Sequence, residues 1–134
     1  MKAILLVLFS VISTIGIGQN IYSNSGFKLA KVINGKFYNS YGQNLGKVVG
    51  TTIYDSSNRI VGKIKGDSFY DPSSHREAIL RENKVYDESY RKILELKDGV
   101  VYDIRGQRLI KYSQDISPTE VLVYIIYLNP NYSY

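Results

Sequence analysis

A pattern of alternating apolar and polar residues recurs every sixteen residues along most of the chain. A tyrosine, which we count as place zero, marks each of six consecutive units: Tyr22, Tyr38, Tyr54, Tyr70, Tyr86 and Tyr102. An apolar residue precedes each tyrosine, turn-forming residues follow it, and a second alternating run comes next. This order predicts one β-hairpin per unit, because turn residues between two alternating runs are typical of hairpins. The sequence therefore predicts a mainly β fold of six hairpin repeats, with about twelve strands.

The two faces of each hairpin follow from the alternation. The residue before the tyrosine and places eight and ten share one face, which is apolar or small in most repeats. The tyrosine and places seven and nine share the other face, with place zero expected opposite place seven. Place nine is lysine in four repeats: Lys31, Lys47, Lys63 and Lys111. We therefore predict that the tyrosines face outward and serve the repeat architecture.

An aspartate or asparagine follows most of the repeat tyrosines. Its short side chain is expected to accept a hydrogen bond from a backbone amide two residues later and so to begin a turn. It is also expected to pair with a base at place six, as in Asp71–Arg76, Asp87–Lys92 and Asp103–Arg108. A residue repeated around a scaffold usually serves the scaffold, so no catalytic residue is assigned to these positions.

The period stops after Asp115. Ser117, Pro118 and Glu120 form the pattern of a helix start, and the apolar residues 121–128 would form a helix without a solvent-facing side. The β-branched residues in this segment leave a buried strand as the alternative. A ring of twelve strands is too wide to be filled by its own side chains. We therefore predict a shallow closed barrel (residues 19–116) around a buried helix (117–129), with a short tail (130–134).

The N-terminal residues 1–18 combine one early lysine with an uncharged apolar stretch and small residues at Gly16 and Gly18. This is typical of a signal peptide cleaved before Gln19, and an uncleaved N-terminal anchor is the alternative. The mature protein is then expected to be exported, periplasmic or extracellular, without a transmembrane span. The chain has no cysteine, which excludes disulfides, thiolate metal sites and a lipoprotein anchor.

Two repeats, TIYDSSNRIVGKIKG (52–66) and VVYDIRGQRLIKY (100–112), show the sixteen-residue unit most cleanly. The unit resembles that of the 4-fold beta-flower family, small bacterial chains of symmetric hairpin petals with no established catalytic residues. Twelve strands around a C-terminal helix are also similar in architecture to Tubby-like domains and phospholipid scramblases, which implies only a tie to membrane lipid. The Tyr-Asp pair is similar to the YD repeats of large exported shell proteins, whose period is longer.

The net charge of +5 falls to about +4 without Lys2. Nucleic acid is an unexpected partner for an exported protein, whereas anionic lipid or an acidic envelope polysaccharide is plausible. If all tyrosine-side turns point to one rim, several bases form a positive crown there. These candidate ligand-binding residues are Lys28, Arg59, Arg76, Arg91, Lys92, Arg105 and Arg108. The alternative is that they neutralise nearby aspartates.

The expected function is binding or structural support in the cell envelope, without catalysis, cofactor or metal, and with attachment to anionic lipid as the specific hypothesis. A glycan-binding module that stacks sugars on the outward tyrosines is the alternative. A hydrolase centred on His75, the single histidine, has the least support, because partners for a catalytic triad or a metal site are not apparent near it.

Overall fold

The computed structural model describes residues 19–129, and these form an antiparallel meander followed by one helical segment. The strands pair in twos as hairpins, and each repeat supplies one hairpin. Their bounds are β1 Asn20–Ser23, β2 Lys28–Ile33, β3 Lys36–Asn39, β4 Asn44–Val49, β5 Thr52–Asp55, β6 Ile60–Lys65, β7 Ser68–Tyr70, β8 Arg76–Arg81, β9 Lys84–Tyr86, β10 Lys92–Lys97, β11 Val100–Asp103 and β12 Arg108–Tyr112.

The sheet is a closed barrel, because β1 pairs with β2 on one side and with β12 on the other. The twelve strands of the described region therefore confirm the predicted ring of six hairpins. In a closed meander the connections alternate between the two ends. All turns that follow a repeat tyrosine thus lie at one end, here called the tip rim, and the turns between repeats lie at the other end, the glycine rim.

A β-bulge in each hairpin corrects the predicted strand register. Ile53 pairs with Gly62 at place eight, as predicted, but Tyr54 pairs with Ile60 at place six instead of Val61 at place seven. The extra residue on the second strand arises because the turn places its fourth residue in the left-handed region, as at Asn58 with φ 63°. The aspartate consequently faces its own turn and not place six.

The barrel interior is lined as the alternation predicts. The residues that precede the repeat tyrosines are buried in every repeat, and so are those at place eight. Place ten is buried at Val32 and Leu96 and half-buried in the other repeats. These side chains form one cluster with Ile116 and the C-terminal segment, so the barrel and its contents share a single hydrophobic core.

The helix α1 begins where predicted and fills the barrel, which excludes the strand alternative for this segment. Ser117 is its N-cap: its Oγ accepts from the Glu120 amide at 3.1 Å, and the Glu120 carboxylate accepts from the Ser117 amide at 3.2 Å. The expected single helix over residues 117–129 is, however, two elements. These are α1, Pro118–Val123, and a π-helical turn, Tyr124–Leu128.

Glycines in the barrel wall make room for the end of this helical segment. A Cβ at Gly46 would come within 2.6 Å of Leu128, and one at Gly62 would overlap the ring of Tyr127. The Tyr127 hydroxyl donates to the Tyr70 carbonyl at 3.0 Å. Since α1 follows the glycine rim and Tyr70 ends a strand next to the tip rim, the segment crosses the barrel from one rim towards the other.

The predicted signal peptide, residues 1–18, and the tail, residues 130–134, lie outside the described residues. Within residues 19–129 no helix has the length and apolarity needed to cross a bilayer.

Candidate functional site

Each tip of the tip rim is built on the side chain that follows the repeat tyrosine. In repeat 5 the Asp87 Oδ1 accepts from the amides of Ser89 at 2.9 Å and Arg91 at 3.0 Å, and the Asp87 amide donates to the Arg91 carbonyl. Repeats 3, 4 and 6 make the same contacts through their aspartates, and Asn39 makes them in repeat 2. The predicted hydrogen bond to the amide two residues later is thus confirmed.

The turn aspartates pair with place five and not with place six. Arg59 lies 3.1 Å from Asp55, His75 lies 3.3 Å from Asp71, and Arg91 lies 3.1 Å from Asp87. The predicted pairs Asp71–Arg76, Asp87–Lys92 and Asp103–Arg108 are wrong, because the bulge turns each carboxylate back into its own turn. The amide at place five is the main cause of the lowered pKa values of Asp55, Asp71 and Asp87, and it outweighs the desolvation that raises them.

The fourth residue of every tip has a positive φ, which is unusual at Tyr90. The equivalent residues in other repeats include Gly26, Gly42 and Asn58, whereas Tyr90 adopts φ 62° with a bulky side chain. Its ring is flanked by the guanidinium groups of Arg76, at 5.3 Å, and Arg81, at 5.9 Å.

All seven predicted basic residues lie on or beside the tip rim, but they are not equivalent. Four already have a partner: Arg59 and Arg91 pair with aspartates, Lys92 pairs with Glu95 at 2.8 Å, and Arg76 donates to the Tyr90 hydroxyl at 3.1 Å. Lys28, Arg105 and Arg108 make no ion pair within residues 19–129. The predicted crown bases that have no partner of this kind therefore lie in one sector of the rim.

The three unpaired cations belong to hairpins 1 and 6, which are neighbours because β12 pairs with β1. The same sector carries large exposed apolar side chains: Phe27 is 73% exposed, Ile104 67% and, in hairpin 2, Tyr41 87%. We call Phe27, Lys28, Tyr41, Ile104, Arg105 and Arg108 the tip sector. Sequence reasoning missed its apolar members, although each occupies a turn position that is polar in most other repeats.

The six repeat tyrosines form a half-buried belt on the outside of the barrel. Each lies across the strand pair from place nine of the neighbouring repeat, as Tyr54 does from Lys47 and Tyr22 from Lys111. The Lys47 ammonium lies 5.5 Å from the Tyr54 ring centre, and the Lys65 ammonium lies 5.8 Å from that of Tyr70. These two rings therefore support lysine side chains, and less of their faces is open to solvent than the alternation suggests.

His75 lies on an exposed turn, and 78% of its side chain is accessible. Its Nδ1 is paired with Asp71, and it borders an open cleft of about 430 Å³ that also contains Ser89 and Arg91. Within the described part of the chain, no group of three or more acidic or histidine side chains could hold a metal ion. No hydrogen bond links a serine hydroxyl to His75 in this region, so the cleft has no assembled nucleophile–base pair.

The chain matches the model of a family described as 5-fold beta-flower protein over residues 18–129. The predicted beta-flower kind is confirmed, and its assignment to the 4-fold member is corrected. The described barrel of this chain is closed by six hairpins, although the family's description names a 5-fold flower. No curated protein and no solved structure matches the chain significantly. Because the match covers the whole barrel and its helical core, the chain belongs to the 5-fold beta-flower family.

Proposed function

We propose that the chain is an exported, non-enzymatic beta-flower domain that attaches to anionic lipid surfaces of the cell envelope through the tip sector. The observation that carries this proposal is the coincidence, on adjacent hairpins, of exposed apolar tips with cations that have no carboxylate partner. Phe27 is followed directly by Lys28, and Ile104 by Arg105. Each dyad combines a side chain that gains from leaving water with a charge that is attracted to phosphate head groups.

The apolar side chains are concentrated where a flat surface would meet the barrel. Of the six large hydrophobic side chains that are exposed in residues 19–129, five lie at the tip rim: Phe27, Tyr41, Ile60, Tyr90 and Ile104. Single exposed apolar residues need no explanation, but a cluster at one end is typical of an interaction surface. Insertion of these tips among lipid head groups would remove apolar area from water without moving the barrel core.

The charges favour one side of the rim for this contact. Hairpins 1 and 2 carry Ser23 and Asn39 where the later repeats carry aspartate, so their turns have no negative charge. In hairpin 6 the Asp103 carboxylate accepts from the amides of Arg105 and Gln107, and the two cations Arg105 and Arg108 exceed its charge by one. A Lys or Arg near an anionic surface contributes about 1 kcal/mol, so Lys28, Arg105 and Arg108 together would give useful attraction and a fixed orientation.

Export and the envelope location rest on the sequence of residues 1–18, and the likeness to Tubby-like and scramblase barrels rests on architecture alone. The glycan-binding alternative has less support from the geometry, because the repeat tyrosines are half-buried and two of them underlie lysine ammonium groups. It would require the loss of binding to a polysaccharide array when Tyr54 or Tyr70 becomes alanine.

Sedimentation with vesicles tests the proposal. The chain without residues 1–18 should sediment with phosphatidylglycerol–phosphatidylcholine vesicles at low salt, but not with pure phosphatidylcholine. The double variant Lys28→Gln/Arg108→Gln should lose most of this binding, and Phe27→Ser/Ile104→Ser should weaken it at constant charge. Arg59→Gln is the control matched to the single variant Lys28→Gln. It also removes one positive charge from the tip rim, but from a side chain that is already paired with Asp55. Equal binding to both vesicles, or equal losses in Arg59→Gln and in Lys28→Gln alone, would refute the proposal.

A further inference from the structure

The charges of the described residues are segregated around the barrel. Residues 19–66, which form β1 to β6, contain seven basic residues and one acidic residue, Asp55. Residues 67–103, which form β7 to β11, contain six basic and nine acidic residues. Because β12 joins β1, its Lys111 extends the basic half. One side of the outer wall is therefore strongly basic and the opposite side is weakly acidic.

The basic half has an ordered row at its centre. Place nine is lysine in four successive repeats around the ring, namely repeats 6, 1, 2 and 3, and the row ends where repeats 4 and 5 have Ile79 and Glu95. These lysines lie on every second strand. Each is displaced by two residues along the strand direction from the one before, because on the shared neighbour β5 Lys47 pairs with Tyr54 whereas Lys63 pairs with Thr52. Two strand spacings and that stagger separate neighbouring lysines by about 12 Å, so the row is about 36 Å long.

We call the six lysines of this surface the lysine wall: Lys31, Lys36, Lys47, Lys63, Lys65 and Lys111. None of them makes an ion pair within residues 19–129, whereas on the opposite half Asp67, Asp87 and Glu95 each pair with a base. Tyrosine rings underlie Lys47 and Lys65. The ammonium groups of the lysine wall thus lie on the surface, and no carboxylate of the described residues neutralises them.

One pair in the wall is unfavourable for folding. Lys36 and Lys47 are direct cross-strand partners, and like charges in that position destabilise a sheet. An acidic residue at either position would turn this repulsion into attraction. On the acidic half Arg81 and Lys84 also face each other, but there Asp67 pairs with Arg81. Lys36 and Lys47 have no such carboxylate within residues 19–129, so an external polyanion would relieve their repulsion.

We propose that the lysine wall binds a linear acidic polysaccharide, which lies across the outside of the barrel along the row of place-nine lysines. The row offers several ammonium groups to successive carboxylates, and their small counterions are released on binding. The wall contains no arginine, the residue suited to bidentate phosphate contacts. Its tyrosine rings are half-buried, and lysine ammonium groups lie over two of them, which leaves little ring face for the stacking of bases. These features favour a sugar acid polymer over nucleic acid.

This site is separate from the tip sector, because its lysines lie within the strands or at strand ends next to the glycine rim, and not in the turns of the tip rim. The two proposals therefore succeed or fail independently. Removal of the apolar tips with Phe27→Ser/Ile104→Ser should leave polysaccharide binding unchanged, while the wall variants should retain most of their binding to vesicles.

Calorimetric titration with polygalacturonate tests the lysine wall in the chain without residues 1–18. Neutral dextran should not bind. The triple variant Lys31→Gln/Lys47→Gln/Lys63→Gln should bind polygalacturonate about tenfold more weakly or worse, and its affinity should depend less on salt, by about one logarithmic unit of slope for each lysine removed. The matched control Lys84→Gln/Lys92→Gln/Lys97→Gln loses the same charge on the acidic half and should change the affinity about twofold at most.

A third variant separates binding from a purely structural role. Lys36→Glu should raise the melting temperature, because it faces Lys47, and should at the same time weaken polygalacturonate binding. Equal losses in the two triple variants would overturn the proposal, since only net charge would then matter. Binding of polyphosphate or single-stranded DNA as tight as that of polygalacturonate at equal charge would overturn the assignment to an acidic polysaccharide.

Discussion

The ring of Tyr127 packs directly against the backbone of Gly62, in the space that a side chain would occupy at any other residue. Leu128 and the Tyr54 carbonyl together occupy the corresponding space at Gly46. The Tyr127 hydroxyl, which donates to the Tyr70 carbonyl, fixes the same side chain at its far end. These contacts set the depth of the helical segment in the barrel, because a shift along the barrel axis would bring a ring or a methyl group against the wall.

We expect Gly62→Ala to lower the free energy of unfolding by about 1–3 kcal/mol, the usual cost of adding a methyl group to a filled core. Urea denaturation followed by circular dichroism measures this change. In a Tyr127→Leu background the added methyl group should cost much less, because the ring that it meets is absent. A cost that is the same in both backgrounds would mean that Gly62 is required for its backbone and not for Tyr127.

The sequence was sufficient to predict the hairpins, the buried face and the helical core, because a repeated period averages over the irregularities of single repeats. Gly62, one of the small residues on that buried face, leaves room for the close approach of the helical segment. The bulge at Val61 was missed because hairpin register depends on turn geometry, and the left-handed fourth residue adds one residue to the second strand.

The candidate site was less predictable than the fold. In the helical core, nothing in the residue pattern marks the π-helical turn that begins at Tyr124. The tip sector depends on which hairpins become neighbours. Only closure of the ring makes the hairpin of Phe27 a neighbour of the hairpin of Ile104, which is seventy-seven positions later in the numbering.

Glu77 is expected to destabilise the barrel at neutral pH. It occupies place seven, which is Leu, Val or Ile in the other repeats, and its pKa is raised mainly by burial and further by the charge of Asp71. Glu77→Leu should therefore raise the free energy of unfolding at pH 7 by about 0.5–2 kcal/mol, as measured by thermal or urea denaturation.

The pH dependence of this effect follows from the sign of the shift. A carboxyl whose folded pKa lies above its ordinary value of 4.5 contributes fully to stability below that value, and the contribution is lost as the pH rises through the folded pKa. The advantage of Glu77→Leu should thus be smaller at pH 4 than at pH 7. The same advantage at both values would show that the gain comes from apolar packing alone. Glu88→Leu, on an exposed turn, is the control.

Asp87 should be replaceable by asparagine at less cost than by alanine. Asn39 already provides the same two turn hydrogen bonds in repeat 2, so Asp87→Asn should lose the Arg91 ion pair alone. Asp87→Ala also leaves two turn amides without their acceptor and should lower the melting temperature by about 3–6 °C. Equal melting temperatures for the two variants would contradict the role of the side-chain oxygen.

Acid should remove the stabilisation that Asp87 provides. Its folded pKa is lowered, mainly by the Arg91 amide, so the contribution is present above the ordinary value of 3.8 and is lost as the pH falls through the folded pKa. The wild-type chain should therefore lose more stability than Asp87→Asn on going from pH 5 to pH 2. Melting curves across this interval measure the difference.

Tyr90 is expected to be held in a strained backbone conformation by its turn. At φ 62°, Tyr90→Asn should be more stable than Tyr90→Ala by about 1 kcal/mol, since asparagine tolerates the left-handed region. Both variants lose the contacts of the ring with Arg76 and Arg81, so the difference between them isolates the backbone. The same pair of substitutions at Ser89, where φ is not positive, is the control and should not favour asparagine in this way.

The helical segment should be required for a packed barrel. It should also restore the packing of a truncated barrel when it is added as a separate peptide. Its residues Val121, Leu122, Val123 and Ile125 are almost fully buried and belong to the single core cluster, so a chain without residues 117–134 has a hollow ring of strands. We expect that chain to lose its near-UV dichroism and to bind a hydrophobic dye while it retains far-UV β signal.

A synthetic peptide of residues 117–129 should restore the near-UV signal, and the same peptide with Leu122→Asp should not, because it would bury an unpaired carboxylate. Cooperative melting of the truncated chain at the wild-type temperature would contradict a core shared between barrel and helix.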